Sequence, residues 1–316
     1  MISPETTTII ANPRAAAGRV EREWDEIVRA VRGALGDLMI VRTQRAGHAE
    51  QLAAEAIAAG STCLLSLGGD GTHHEVMNGI VAHQPGPGAV AMGVLPAGTG
   101  GDFRKLLVGT QDIPTAARAL ATAEQALVDV GWMEFLSSGG ERRERHFLNM
   151  VSFGVGGLVD EYVERAPKHL GGKITFLAAT LAAFISYRHA TVRLTIDGAE
   201  VGEWTVNNIN VCNGRYSGGG MLHAPMARLA DGLFEIIVYE RSSRFADART
   251  MRKMYKGTHL DAPSVHHFRG AEVVAELVGT RKALLDIDGE PLGRIPATFR
   301  VVPSVLRLLN PRSDVL

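Results

Sequence analysis

The chain has 316 residues, 46% hydrophobic and 21% charged, with 33 Lys+Arg against 34 Asp+Glu and a net charge of -1. That length supports a large core and more than one domain. The balanced charge excludes a basic nucleic-acid binder, so no nucleic-acid partner is expected, and it excludes an acidic tail protein.

The first third alternates strand and helix signals. Thr7–Ala11 reads as a strand, followed by Val20, Trp24, Ile27, Val28, Val31 and Leu35 at helical spacing. Leu38–Val41 is a second strand, His48–Ala59 a helix, Thr62–Leu67 a third strand, Glu75–Ala82 a helix and Val90–Leu95 a fourth strand. A helix over Ile113–Thr122 and a strand over Ala126–Val130 complete this part. Such alternation predicts a mostly parallel sheet with helices on both faces.

After about Gly131 alternating apolar runs dominate: Thr191–Ile196, Trp204–Val211, Phe234–Tyr239, Glu272–Leu277, Ala283–Ile287 and Thr298–Val302. Asp197-Gly198 between the first two is a hairpin signal. Helices are expected at Lys173–Ser186 and Ser243–Lys256. The apolar part of the former, Ile174–Ile185, is too short for a bilayer span and reads either as core or as one wall of a cleft for acyl chains. Arg249, Arg252, Lys253 and Lys256 read as a solvated helix face, with an anionic membrane surface as the alternative. Cys63 and Cys212 sit in apolar runs and read as buried hydrophobes, which fits a reduced, cytoplasmic compartment. The first residues show no basic and apolar leader.

The chemistry concentrates in glycine-rich turns. Gly68-Gly69-Asp70-Gly71-Thr72 follows a strand and precedes a helix, where backbone N–H groups and the positive helix end face an anion. Asp70 offers a carboxylate to a Mg²⁺–phosphate complex. Thr72 and Glu75 have the spacing of a capping box. His73 and His74 are adjacent, without metal-binding helical spacing, and read as surface histidines at a helix start. A second loop, Pro96-Ala97-Gly98-Thr99-Gly100-Gly101-Asp102-Phe103, follows the next strand, and Asn12-Pro13 with Gly18-Arg19 adds a third. Loops from neighbouring parallel strands meet at the sheet's carboxyl edge, where open α/β sheets bind ligands.

These two motifs, followed by Asp129 in VDVG, Asp231 in ADGLFEI and Asp288-Gly289-Glu290, resemble the diacylglycerol kinase catalytic-domain family. More narrowly, the chain resembles the bacterial soluble lipid kinases, which are related to sphingosine kinases and more distantly to NAD kinases. The resemblance spans nearly the whole chain. It implies an NAD kinase/diacylglycerol kinase-like fold: an α/β N-terminal domain with a mostly parallel sheet, and a β-rich, antiparallel sandwich-like C-terminal domain. The expected limits are 1–131 and 132–302, with 303–316 returning to the first domain.

The resemblance further implies ATP and Mg²⁺ as cosubstrates and a lipid hydroxyl as acceptor, met through peripheral contact with a membrane surface. It places ATP against Asn12, Thr43, Gly68 to His74 (Gly68, Gly69, Asp70, Gly71, Thr72, His73 and His74) and Thr99, with Arg19 and Lys168 supplying positive charge. It makes Glu290 the general base and Asp231 a Mg²⁺ ligand, helped by the carbonyls of Arg228 and Leu233. Asp70, Asp102 and Asp129 would form an acidic network near the phosphates. Where the family usually has Leu-Asn after GGDGT, this chain has His73-His74; Gly101 stands for the usual Asn, and Arg19 for a common Lys. An NAD kinase and a non-catalytic lipid- or nucleotide-binding protein are the rival readings. The acceptor stays open among diacylglycerol, sphingoid bases, ceramide and phosphatidylglycerol, and a homodimer also stays open.

Overall fold

A computed structural model describes residues 2–97, 101–110, 112–155, 187, 189–281 and 283–316. The chain divides into two compact units. The first holds Met1–Val130, Arg228–Asp231 and Val302–Leu316; the second holds Gly131–Ala227 and Gly232–Val301.

In the first unit the elements run β1 (Thr7–Ala11), α1 (Ala15–Arg22), α2 (Trp24–Leu35), β2 (Met39–Arg42), α3 (His48–Ala58), β3 (Cys63–Gly68), α4 (Asp70–His83), β4 (Ala91–Pro96) and α5 (Ile113–Ala121). Strands β2, β1, β3 and β4 pair in that order, all parallel. β1, β3 and β4 are buried along their whole length, and apart from Thr7, Thr8 and Ser66 they carry no polar side chain. Ile27, Val31 and Leu35 recur every four residues, so α2 turns one apolar stripe onto a core that includes Ile9, Leu65 and Leu95. The helical spacing from Val20 to Leu35 is divided at Glu23 between α1 and α2, and Ala16, Ala17 and Gly18 take left-handed φ values of 53°, 54° and 79°.

β5 (Gln125–Ser137) leads into the second unit. There follow β6 (Arg142–Phe147), β7 (Met150–Gly154), β8 (Ala190–Ile196), β9 (Ala199–Cys212), the short β10 (Tyr216–Ser217) and β11 (Met221–Leu222), β12 (Phe234–Glu240), α6 (Arg244–Met254), β13 (Val265–Gly270), β14 (Glu272–Val278), β15 (Leu284–Ile287) and β16 (Glu290–Leu309). β9 is flanked antiparallel by β7, β8 and β12 along its length, and β14, β15 and β16 continue antiparallel. β8 buries every second residue, as a strand with one covered face must. Phe147 stacks on Phe234 at 5.4 Å and Phe153 on Phe299 at 5.9 Å in the core. The last part of β16, from Val302, belongs to the first unit, where Arg307 and Leu308 pair parallel with Ala91 and Met92 of β4.

Two Asp-Gly pairs make the tight hairpins. Asp197 and Gly198 (φ 48° and 81°) join β8 to β9; Asp288 and Gly289 (φ 50° and 92°) join β15 to β16. Left-handed φ at both positions is the backbone that two-residue turns need, and Asp tolerates it better than most side chains. Ser243 caps α6, accepting from Ala246 N–H at 3.3 Å. The expected helix Lys173–Ser186, with its apolar stretch, lies outside the described residues, as do Thr99 and Lys168. No helix among the described residues is long and apolar enough to cross a membrane.

Candidate active site

β1, β3 and β4 end in register: Ala11 lies beside Leu67, and Gly68 beside Pro96. Three further backbone bonds extend the sheet by one rung, from Asn12 to Leu67 (2.9 Å), Thr43 to Ala11 (2.8 Å) and Ala97 to Gly68 (2.7 Å). Asn12, Thr43 and the GGDGT loop therefore share the carboxyl edge. Asn12 Nδ2 donates to Thr72 Oγ1 at 3.1 Å, and Asn12 Oδ1 accepts from Arg14 N–H at 3.0 Å. This ties the Asn12 loop to the GGDGT loop.

α4 starts at Asp70, with Gly69 as its N-cap and no side chain capping it. Its first intrahelical bond runs from His73 N–H to Gly69 O (3.0 Å), so the amides of Asp70, Gly71 and Thr72 precede the hydrogen-bonded ladder. Gly68, Gly69 and Gly71 all lie outside the left-handed region. Gly68 is needed for space instead: a Cβ there would stand 2.6 Å from Thr72 Cβ. The capping box is not formed. Thr72 lies inside the helix, two residues past its start, so Glu75 is too far along to reach back. Glu75 instead accepts from Gly47 N–H (2.8 Å) and Ala49 N–H (2.9 Å), capping the start of α3.

His73 and His74, expected at the surface, are buried. α4 is covered on most sides, and His73 and His74 are each 1% exposed. His73 Nδ1 lies 2.7 Å from Ser66 Oγ on β3, and burial pushes its pKa down to about 3, so the ring is neutral.

Asp70 and Asp102 come together. Asp70 Oδ2 accepts from Asp102 N–H (2.9 Å) and Oδ1 from Phe103 N–H (3.3 Å), so Asp70 holds the start of a 3-10 turn at Phe103–Leu106. Asp102 is buried and pairs with Lys105 Nζ at 2.5 Å. Gly101, at φ +59°, needs its left-handed freedom to make this turn. Asp129 is 2% exposed and works as a fastener. Its Oδ1 accepts from Ser304 N–H (2.8 Å), and its own N–H donates to Leu229 O (2.6 Å). Arg19 forms a half-exposed pair with Glu23 at 3.4 Å.

Arg228 to Asp231 are held against the C-terminal segment, through Leu229 N–H to Val315 O (2.6 Å) and Arg228 Nη1 to Leu316 O (3.0 Å). Asp231 precedes Gly232, whose φ of +73° turns the chain towards Leu233 and β12. A carboxylate with peptide carbonyls is an all-oxygen donor set, which suits Mg²⁺. Among the described residues no three His, Cys, Asp or Glu side chains gather as a metal cluster.

In the second unit Asp288 accepts from three consecutive backbone groups: Leu148 N–H at 2.7 Å, Asn149 N–H at 2.9 Å and Met150 N–H at 2.9 Å. Gly289 N–H donates to Asp286 Oδ1 at 2.7 Å. The turn from which Glu290 opens β16 is thus fixed at both Asp residues. The anchoring role of Asp288 does not show in its own motif, because it depends on partners about 140 residues away in the chain.

Sequence reasoning also missed a buried polar chain there. Asn210 Nδ2 lies 2.8 Å from His223 Nδ1, which is 3.1 Å from Tyr239 Oη, itself 3.1 Å from His259 Nε2. Burial holds His223 neutral, with its pKa down at about 3. Cys63 and Cys212 are buried and free, and burial pushes both thiols up, Cys63 to about 11. Neither is a poised nucleophile.

An α/β unit with a helix start among glycine loops, and an antiparallel unit with a pinned acidic hairpin, fit a phosphotransferase of the lipid kinase class. Comparison supports this. The diacylglycerol kinase catalytic domain matches residues 6–133, and the YegS C-terminal NAD kinase beta sandwich-like domain matches 149–310. A Pseudomonas fluorescens protein named probable lipid kinase YegS-like is 30% identical over 291 residues, covering 92% of this chain and 91% of its own. A Mycobacterium tuberculosis diacylglycerol kinase is 27% identical over 308 residues, covering 96% and 95%. A solved structure described as a putative diacylglycerol kinase from Bacillus anthracis superimposes with a TM-score of 0.78 at 23% identity, over 100% of this chain and 98% of the other, and shows the same fold. The chain belongs to the diacylglycerol kinase catalytic-domain family. It is a lipid kinase, with ATP as cosubstrate.

Proposed function

We propose that the chain transfers the γ-phosphoryl group of Mg-ATP to the hydroxyl of a diacylglycerol-like lipid. The observation that carries this reading is the carboxyl edge of the parallel sheet, where Asn12, Thr72, the open start of α4 and the Asp70–Asp102 pair converge. The positive end of α4 and its glycine-rich approach suit the phosphates. The names of curated relatives from several bacteria support the choice of acceptor.

Thr43, Thr99, Lys168 and Arg19 complete the nucleotide side of this proposal. Asp231, with the carbonyls of Arg228 and Leu233, would hold Mg²⁺, and bound Mg²⁺ offsets phosphate charge. Glu290 accepts the lipid hydroxyl's proton as the oxygen attacks phosphorus and ADP leaves. The first test is incubation with labelled ATP, Mg²⁺ and a panel of diacylglycerol, sphingosine, ceramide, phosphatidylglycerol and NAD, with product identification. The expected product is phosphatidic acid. Formation of NADP with no phosphorylated lipid overturns the reading.

A further inference from the structure

α6 has two unlike faces. Its inner face is Asp247, Thr250 and Met254, at positions i, i+3 and i+7. Asp247 accepts from Asn207 Nδ2 (2.8 Å) and Ser242 Oγ (2.5 Å), Thr250 is buried, and Met254 packs on Ile237, Tyr239 and Val265. With its one acid engaged inward, the outer face keeps only positive charge. Arg244, Arg249 and Arg252, with Arg241 before the helix and Lys256 after it, are all exposed, and none of the five forms an ion pair with a described residue. Glu240, the acid just before them, is bound to His266 Nε2 at 3.0 Å.

Five cations with no ion pair among the described residues, on a chain of net charge -1, make a strongly uneven surface. Two aromatics stand among them: Phe245 is 81% exposed and Tyr255 is 56% exposed. A bare phenylalanine ring among arginines is a poor design for a water-facing helix. It suits an interface where rings enter the headgroup layer and cations meet lipid phosphates.

We propose that the outer face of α6 docks the protein on an anionic lipid bilayer, with Phe245 and Tyr255 inserting between headgroups. A nucleic-acid partner would use the same cations but gives no reason for an exposed ring at each end of the helix. The proposal rests on the lipid-acceptor reading, because a kinase of a bilayer lipid must reach the bilayer, and it adds the surface that does so.

The test is co-sedimentation of the whole chain, without ATP, with vesicles of phosphatidylcholine alone or mixed with phosphatidylglycerol. Binding is expected only to the anionic vesicles and is expected to weaken with salt. Arg249→Glu with Arg252→Glu should lower that binding by about tenfold or more. Phe245→Ala should weaken the fraction that resists salt, and Arg29→Glu, exposed on α2, should change nothing. Circular dichroism checks that each variant is folded. Turnover of a short-chain diacylglycerol dissolved as monomers should be equal in the parent and the α6 variants. If the double reversal binds anionic vesicles as tightly as the parent, or if the parent prefers duplex DNA to vesicles, the docking proposal fails. Vesicle binding that follows these rules, with no lipid phosphorylated, would leave the docking surface standing and remove the acceptor reading.

Discussion

At the scale of single residues, the two acids of one Asp-Gly-Glu hairpin have different jobs. Asp288 receives three backbone N–H bonds and fixes the turn, while Glu290 opens the next strand. Asp288→Asn replaces a two-oxygen acceptor with one oxygen and an amide that turns two donors towards donors. A loss of about 1–3 kcal/mol in stability is expected, the cost of unsatisfied buried polar groups. Glu290→Gln keeps the size and removes the basicity. Turnover is expected to fall by roughly 10²–10⁴-fold, with ATP affinity and urea midpoint little changed. Steady-state kinetics and calorimetric titration with Mg-ATP on both variants separate the roles. A folded Glu290→Gln enzyme that turns over lipid at the parent rate would place the base elsewhere. The motif was legible in the sequence because it is local. The anchoring was not, because its partners, Leu148 to Met150, carry no mark in their own sequence that they will receive a carboxylate.

At the scale of elements, α3 and α4 are joined by one glycine and one carboxylate. A Cβ at Gly79 would stand 2.6 Å from both Ala53 Cβ and Glu50 O, so the helices cross where there is no side chain to separate them. Glu75 of α4 caps α3 at Gly47 and Ala49. Gly79→Ala should cost about 1–3 kcal/mol by overpacking, and Glu75→Ala about 0.5–2 kcal/mol by uncapping. Urea titration measures both. If Gly79→Ala instead stabilises the protein, as alanine does in an open helix, the close crossing is wrong. Most of the strands and the Asp197-Gly198 hairpin could be read in advance because period and turn chemistry are written within a few residues. The S/T-x-x-E spacing misled because it was judged on one helix, while Glu75 serves its neighbour. His73 and His74 misled similarly: a polar residue near a helix start reads as exposed until the elements covering that helix are known.

At the scale of the whole molecule, each unit contains a histidine that burial keeps neutral, His73 on α4 in the first and His223 in the second. Both folded pKa values are near 3, against an ordinary value of 6.5. Between those limits the unfolded chain binds protons that the folded chain refuses, so stability rises with pH across the window. The contribution is complete above about pH 6.5 and is lost progressively as pH falls towards 3. From pH 6.5 to 5 each histidine should remove about 2 kcal/mol, before most carboxylates begin to titrate. Acid should therefore weaken both units, through separate groups. His73→Leu costs the Ser66 bond at every pH, so its neutral-pH stability is no guide; the slope is. Hydrogen exchange followed by mass spectrometry at pH 7 and pH 5, corrected for the intrinsic pH dependence of exchange, reads each unit separately. In the parent, protection should fall in both units. In His73→Leu the fall should be smaller over β1, β3 and α4 and unchanged over β9 and β12. An equal fall in the first unit of parent and variant would mean that His73 does not set the acid limit there.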